Sequence, residues 1–508
     1  MDAGGFMFEK RLLILGLLTI ALSGCWGSSK TYNQQNHNEN HGNEDPTAKI
    51  EPQQDDHKPN SDPMHHPMDH ENETAPSQPA QDDLNAAINF SLQIANPLHK
   101  QLTQQEHSQL LEACNFAFQN GWNSNTAIQE FVQVWLYLLE NPLAKAAKPA
   151  GQTETFQLQT ITQMNNSTHT KDHTHSSVTI IRNEDNHFFL PKYPKRLGSG
   201  CFKHADAVLS LQENQSSLQP STIAMLTPQN FPEAIKQFQH EIGINQDINQ
   251  KLNDFYKKNH LKKIDQPYLS TGKFIDFDYT LSGVRTGALF QPVLGKDLAW
   301  FSKSYDNPHQ FLPWMLDVAH ALAVLHAIGM VHADLKLENI MISKDEHNAY
   351  LSDFGFTHNL PDDQRHGPDT IGFNCPLRNN EPEHLFVYLT SPYQAEAFYP
   401  DVVSFGLLLL RASKKLRHSP TAEQCNWEHF DSLKGCAVGK LDVLSSELEP
   451  IAQKACGNEL ICYERIVAQA LQPDPKKRIS IDSAFLQLRK IITNPHTFEQ
   501  TAHRLQEL

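Results

Sequence analysis

Large apolar residues are unevenly spread along the chain, and their spacing divides it into stretches. After Glu9-Lys10-Arg11 comes an apolar run, Leu12 to Leu22, too short to span a bilayer comfortably, which closes on the small residues of Leu22-Ser23-Gly24-Cys25. From Trp26 to about Gln81 the residues are mostly Asn, Gln, His, Asp and Pro. That composition cannot offset the entropy of folding, so 25–83 is expected to be a disordered tether. Over 84–148 apolar residues return at helical spacing: Leu110, Leu111, Cys114, Phe116 and Phe118, then Ile128, Phe131, Val132, Val134, Trp135, Leu136 and Leu138. Asn120-Gly121 interrupts the run, which predicts a small helical hairpin or bundle packed on the domain C-terminal to it. The polar stretch 149–186, including Asn165 to Ser177 with His169, His173 and His175, is expected to be a linker or surface loop. Over 187–495 strand-like and helical segments alternate, and 496–508 is expected to be a C-terminal tail.

Composition refines this division. With 508 residues there is room for two or three domains, and a 39% hydrophobic content supplies a real core. A formal net charge of -16 with no basic stripe excludes a protein built to bind a phosphate backbone, so no nucleic-acid partner is expected. Within the tether, Met64-His65-His66-Pro67-Met68-Asp69-His70 has ligands that suit copper or nickel, although a solvated polar segment is the simpler reading. Cys425, Cys436, Cys456 and Cys462 fall close together. They suit either two local disulfides in an oxidising compartment or small buried thiols. The start of the chain resembles a bacterial lipoprotein signal. That resemblance implies a signal peptide over 1–24, cleavage before Cys25, lipid on the Cys25 thiol and attachment to a membrane. An uncleaved signal anchor or a chance apolar start is the alternative, and Met7 can serve as the start, since Met1 to Phe6 adds nothing to the pattern.

Spaced motifs then come in a fixed order. Leu197-Gly198-Ser199-Gly200-Cys201-Phe202 stands between two strand-like segments, where glycines let backbone N–H groups approach phosphates. Val331-His332-Ala333-Asp334-Leu335-Lys336-Leu337-Glu338-Asn339 comes after the apolar helical stretch Leu312 to Ile328. Leu351-Ser352-Asp353-Phe354-Gly355 comes next, and then Asp401-Val402-Val403-Ser404-Phe405-Gly406 and Asp474-Pro475-Lys476-Lys477-Arg478. Together these resemble the protein kinase family over roughly Tyr193 to Leu488. The resemblance implies an α+β, two-lobed fold with a small β-rich N-lobe and a mostly helical C-lobe, using ATP and Mg2+. Asp334 would accept the substrate proton, Lys336 would steady the transferring phosphoryl group, and Asn339 and Asp353 would hold metal. Leu197, Gly198, Ser199 and Gly200, with Ala224, Glu241 and Met341, would surround the nucleotide.

The chain also departs from the family. A lysine is expected on the third strand, but Ile223-Ala224-Met225-Leu226 offers Leu226 in its place, which leaves the helix glutamate Glu241 without its usual partner. Lys203, at the end of the glycine loop, resembles the displaced lysine of the with-no-lysine kinases. Strands about 4.8 Å apart are within reach of a lysine stem. Ala333 replaces the arginine that grips an activation-loop phosphate in many kinases. Leu377 stands where a glutamate is usual, and Glu381 or Glu383 is expected to supply the carboxylate for Arg478. The expected activity is transfer of the ATP γ-phosphate to Ser or Thr of a protein substrate. The alternative is a pseudokinase that holds a nucleotide or serves as a scaffold. A lipid-anchored exported enzyme meets little ATP, so the resemblances together imply delivery to an ATP-containing compartment such as a host cell, or a signal that anchors the kinase on the inner side.

Overall fold

A computed structural model describes Ile88, 102–140 and most of 153–506. Outside the described residues lie the signal and tether, Cys25, the Met64 to His70 segment, Cys201, and Leu377, Glu381 and Glu383 with most of the insertion around them.

The helical spacing before residue 148 forms two helices, α1 (Gln104–Gln119) and α2 (Asn125–Glu140). Thr103 caps α1 reciprocally: its Oγ1 accepts from Glu106 N at 3.2 Å while its own N–H donates to Glu106 Oε2 at 2.8 Å. Gly121, at φ +104°, makes the turn between the helices.

Strands β1 (Thr153–Met164), β2 (Lys171–Arg182), β3 (His187–Ser199), β4 (Lys203–Asn214) and β5 (Ser217–Pro228) run antiparallel in sequence, and helix α3 (Pro232–Lys258) comes next. The sheet continues with β6 (Lys273–Ile275) and β7 (Ala288–Pro292), giving the order β1-β2-β3-β4-β5-β7-β6. Within the expected linker over 149–186, residues 153–164 and 171–182 therefore pair as antiparallel strands, and 165–170 lie outside the described residues. The linker's polar composition hid an alternation with strand period: Phe156 and Leu158 in β1, Val178 and Ile180 in β2. Val178 and Ile180 are buried with α1 and α2, while Ile181 is buried on the opposite face with Phe189 and Phe290.

Along β4, Ala205 lies against α3, and Leu209 and Leu211, on the same face by alternation, lie against α1 and α2. The N-terminal helices thus extend the layer that α3 begins.

The C-lobe is built around α4 (Pro308–Ala327), buried on nearly all sides, and α5 (Tyr399–Ala412). Between them, β8 (Ile340–Ile342) and β9 (Ala349–Leu351) form a short hairpin. Helices α6 (Phe430–Gly439), α7 (Leu441–Cys456), α8 (Tyr463–Ala470) and α9 (Ile481–Thr493) complete the core. The expected C-terminal tail is a further helix, α10 (Pro495–Gln506). Its apolar residues are sparse but correctly spaced: Ala502 and Leu505 are buried, and Phe498 packs on the same core. Disulfides join Cys425 to Cys436 and Cys456 to Cys462, and Cys114 is a buried free thiol. Among the described residues no helix is long and apolar enough to cross a membrane.

Candidate functional site

Asp334, Lys336 and Asn339 occupy the segment between α4 and β8, and Asp353 comes just after β9. Pairing of Ile340 with Leu351 in the β8–β9 hairpin brings the residues flanking it together: Ser352 N donates to Asn339 O at 2.9 Å. This register explains why two metal-binding candidates fourteen positions apart in sequence share one place. Asn339 Nδ2 donates to the Asp334 backbone oxygen at 2.8 Å and to Asp334 Oδ2 at 3.0 Å. Lys336 Nζ lies 3.0 Å from the same Oδ2. One oxygen of Asp334 is therefore held by its neighbours, and the amide oxygen of Asn339 is turned away from that contact.

The segment is fastened from below by Asp401, fully buried in the first turn of α5. Asp401 Oδ2 accepts from His332 N at 2.8 Å and meets His326 Nε2 at 3.0 Å, while Oδ1 accepts from Ala333 N at 2.8 Å. Burial alone would raise this carboxyl, yet the bonds from His326 and the charge nearby hold it below the ordinary aspartate value. Ala333 (φ +66°) and Asp353 (φ +63°) both sit in the left-handed region, a cost tolerated where the surroundings over-determine the conformation. The sequence leads one to expect of Asp401 only that it opens a supporting helix, and it says nothing of His326. The signal available is an acidic residue at the head of an apolar helix.

The upper side of the cleft is arranged by strand register. Lys203 pairs with Pro228 and Ala205 with Leu226, so Lys203 shares a face with Ala205 and points towards α3. Lys203 Nζ donates to Glu241 Oε1 at 2.6 Å and to Asp353 Oδ1 at 2.9 Å. Desolvation works against this ammonium, but Asp353 and then Glu241 outweigh it and keep the pKa above that of an ordinary lysine. Glu241, with its side chain only 6% exposed, is raised by burial despite Lys203. Burial also opposes the charge on Asp353, but Lys203 prevails and its carboxyl is lowered. Asp353 keeps a side-chain exposure of 35%, so it remains open to the cleft. Leu226, in the position expected for a lysine, is instead buried with Phe238, Ile242 and Leu289.

Leu197, 47% exposed, ends the approach to the glycine turn. There Gly200 N donates to Lys203 O at 2.9 Å, and Ser199 Oγ lies 2.9 Å from His204 Nδ1. Ala224 is buried in β5 opposite Ala207, and Met341 is half-buried in β8. Gln237, which no sequence motif marks, donates through Nε2 to Gly355 O and ties α3 to the loop after Asp353. Further along the same helix, Lys251 Nζ donates to Asn359 Oδ1 at 2.6 Å, and Asn359 Nδ2 donates to Asp247 Oδ2 at 2.5 Å. Arg478, expected to pair with Glu381 or Glu383, donates to the backbone oxygens of Gln472 and Pro473 and lies 4.3 Å from the Tyr399 ring centroid.

The donor set fits a hard divalent cation. Asp353, part-exposed, offers a carboxylate with an ammonium beside it, and the buried Asn339 offers an amide oxygen that its bonds to Asp334 do not use. Comparison with known proteins accords with this arrangement. Residues 294–488 match the family model of the protein kinase domain, beginning just after β7. The chain is 38% identical over 95 residues to the serine/threonine-protein kinase US3 homolog of Gallid herpesvirus 2 (strain GA), covering 19% of this chain and 22% of that protein. It is 37% identical over 93 residues to the testis-specific serine/threonine-protein kinase 4 of Homo sapiens, covering 18% and 23%. It is 26% identical over 199 residues to the leaf rust 10 disease-resistance locus receptor-like protein kinase-like 1.1 of Arabidopsis thaliana, covering 37% and 30%. The chain thus spans less than a third of the length of these relatives. A β-sheet N-lobe above a helical C-lobe, with residues 294–488 matching the family model, is the two-lobed fold of the protein kinase domain.

Proposed function

We propose that this protein is an ATP- and Mg2+-dependent protein kinase that phosphorylates Ser or Thr of a protein, with Lys203 as its displaced phosphate-contacting lysine. The observation that carries the reading is the bridge made by Lys203 Nζ to Glu241 and Asp353. It delivers a positive charge to the place from which the third strand, with Leu226, cannot.

Glu241 anchors the ammonium from the α3 side, leaving it free to face phosphate oxygens when Asp353 engages a metal. Asn339 and Asp353 would hold Mg2+, which when bound would supply positive charge against the negative charge developing on the transferring phosphate. Asp334, with Oδ2 held by Asn339 and Lys336, presents its other oxygen to the substrate hydroxyl. The hydroxyl oxygen forms a bond to the γ-phosphorus, the bond to the departing ADP oxygen breaks, and the substrate proton passes to Asp334. Lys336 stands where charge spreads over the transferring group. Lys336 two positions after Asp334 is the serine/threonine form of the loop.

Cys25 is proposed to carry the lipid that anchors the chain to a membrane. The two disulfides suit an oxidising compartment, so the catalytic half would meet ATP only after delivery to a compartment that contains it, such as a host cell. Labelling with a lipid precursor should mark the wild type and not Cys25→Ser.

Incubation with labelled ATP, Mg2+ and a generic Ser/Thr acceptor should give phosphate transfer that Asp334→Asn and Asp353→Asn abolish. Thermal stabilisation by ATP and Mg2+ with no phosphate transferred to the acceptor or to the protein itself would instead establish the scaffold alternative.

A further inference from the structure

Helices α1 and α2 precede the kinase-like lobes, and nothing in the proposed chemistry uses them. They nevertheless meet the sheet at an unusual point. Between Leu190, which pairs with Leu209, and Lys195, which pairs with Ala207, β3 advances five residues while β4 advances two. The extra residues form a bulge over Pro191-Lys192-Tyr193-Pro194, where two prolines cannot donate to the ladder. Tyr193 sits there at φ +59°, a conformation uncommon for an aromatic residue. Such outliers persist only where neighbours enforce them.

The enforcing neighbours come from the helical pair. A Cβ on Gly121 would stand 2.6 Å from Tyr193 O, so the turn between α1 and α2 lies directly against the strained backbone. Trp122 meets the Tyr193 ring edge-on, with centroids 5.1 Å apart. Glu130, buried in α2, accepts from Lys192 Nζ at 2.8 Å, and the same ammonium donates to Ser177 O at 2.9 Å and lies 5.3 Å from the Tyr193 ring centroid. Burial, and after it the charge of Glu130 and a hydrogen bond to that carboxylate, raise the Tyr193 hydroxyl to about 12. A buried carboxylate on α2 that pairs with a lysine of β3 makes docking of the two elements mutual.

The bulge ends three residues before Leu197, where the β3–β4 register shifts a second time between Arg196 and Gly198. Beyond that second shift Gly198 faces Ala205 and Ser199 faces His204, so the strand held by the helical pair carries the turn that leads to Lys203.

We propose that α1 and α2 clamp the root of the phosphate-binding loop, with Glu130 as a positioning residue that acts through Lys192 and Tyr193 on the glycine turn. This rests on the reading of Leu197 to Lys203 as the nucleotide loop, so the test includes a readout independent of catalysis. In Glu130→Gln and Lys192→Met, hydrogen exchange of the 197–203 backbone amides should accelerate roughly tenfold. The KM for ATP should rise roughly tenfold, with kcat within about twofold of the wild type. Lys192 is partly exposed, which keeps the second variant foldable should the first collapse. The paired exchange Glu130→Lys with Lys192→Glu should recover part of the loss. Variants that melt earlier but keep wild-type exchange over 197–203 and wild-type KM would overturn the clamp and leave the helices as a prop. Accelerated exchange in a protein that transfers no phosphate would support the clamp while refuting the kinase reading.

Discussion

Below the cleft, Asp334, Lys336 and Asn339 stand on a segment whose backbone is pinned to the buried Asp401 of α5, and Asp353 is brought to them by the β8–β9 hairpin. Above it, the ammonium that bridges Asp353 and Glu241 comes from β4, while the strand position expected to supply it holds a buried leucine. The lower half lies within the match to the kinase family model; the sheet above, with α3, lies outside it. The difference shows what each half must keep. The lower half fixes several groups relative to one another through short local connections, so its chemistry is tied to a sequence pattern. On the proposed reading the upper half has to deliver one positive charge to one point, and two adjacent strands with side chains on the same face can both reach it.

Substitutions can test how differently the two halves are built. The largest effect is expected from Asp401→Ala, which leaves His326 and two backbone N–H groups without their buried acceptor. Loss of roughly 3–5 kcal/mol of stability, read by urea denaturation, together with loss of transfer, is the expected outcome. A small shift in the midpoint would mean that the lower half does not depend on this pin. Next, Lys203→Met should remove close to a thousandfold in transfer rate, because an ammonium about 4 Å from a phosphate contributes ~4 kcal/mol at an effective dielectric of 20. Its far-UV circular dichroism should stay that of the wild type, so that the loss is read on a folded protein. Adding Leu226→Lys to that variant asks whether place or strand matters, and recovery of at least roughly tenfold is expected if place decides. No recovery, with Glu241 shown by structure to meet the new lysine, would make the strand itself decisive.

A smaller effect concerns acid. Burial pushes His320 from 6.5 down to about 3, so the folded protein resists a proton that the unfolded chain accepts. Its contribution is full above pH 6.5 and declines as pH falls towards 3, by about 2 kcal/mol between pH 7 and 5. His320→Leu should flatten that limb of a stability-against-pH curve; an unchanged slope would assign it to other groups. The smallest change is expected from Gln237→Ala, which removes the α3 tie to Gly355 and should lower kcat by several-fold, about 1 kcal/mol, without altering the fold.

The lower half is legible in sequence because its residues lie close to one another along the chain: Asp334, Lys336, Asn339 and Asp353 need only a turn and a hairpin to meet. The two-lobed architecture comes from the same motifs. Lys203 is legible through an absence, since Leu226 leaves a charge to be found and the strand spacing allows it to come from next door. Other features are hidden by distance or composition. Asp401 lies 68 residues from the backbone amide of Ala333 that it holds, and nothing local to either marks the pair. The β1–β2 hairpin is obscured by its Thr, Gln and Ser content, although its alternation is present, and α10 by the few apolar residues it needs to lie against a finished core. The contact between Glu130 and Lys192 spans 62 positions and joins a helix to a bulge, a pairing that no period of hydrophobicity reports.

The two cross-links at Cys425–Cys436 and Cys456–Cys462 make handling a chemical variable. Each closes a short ring worth about 2–3 kcal/mol. A preparation kept in dithiothreitol, or made where thiols stay reduced, is therefore a covalently different and softer molecule than one matured in air. The helices beneath the active loops would be the first to register the change.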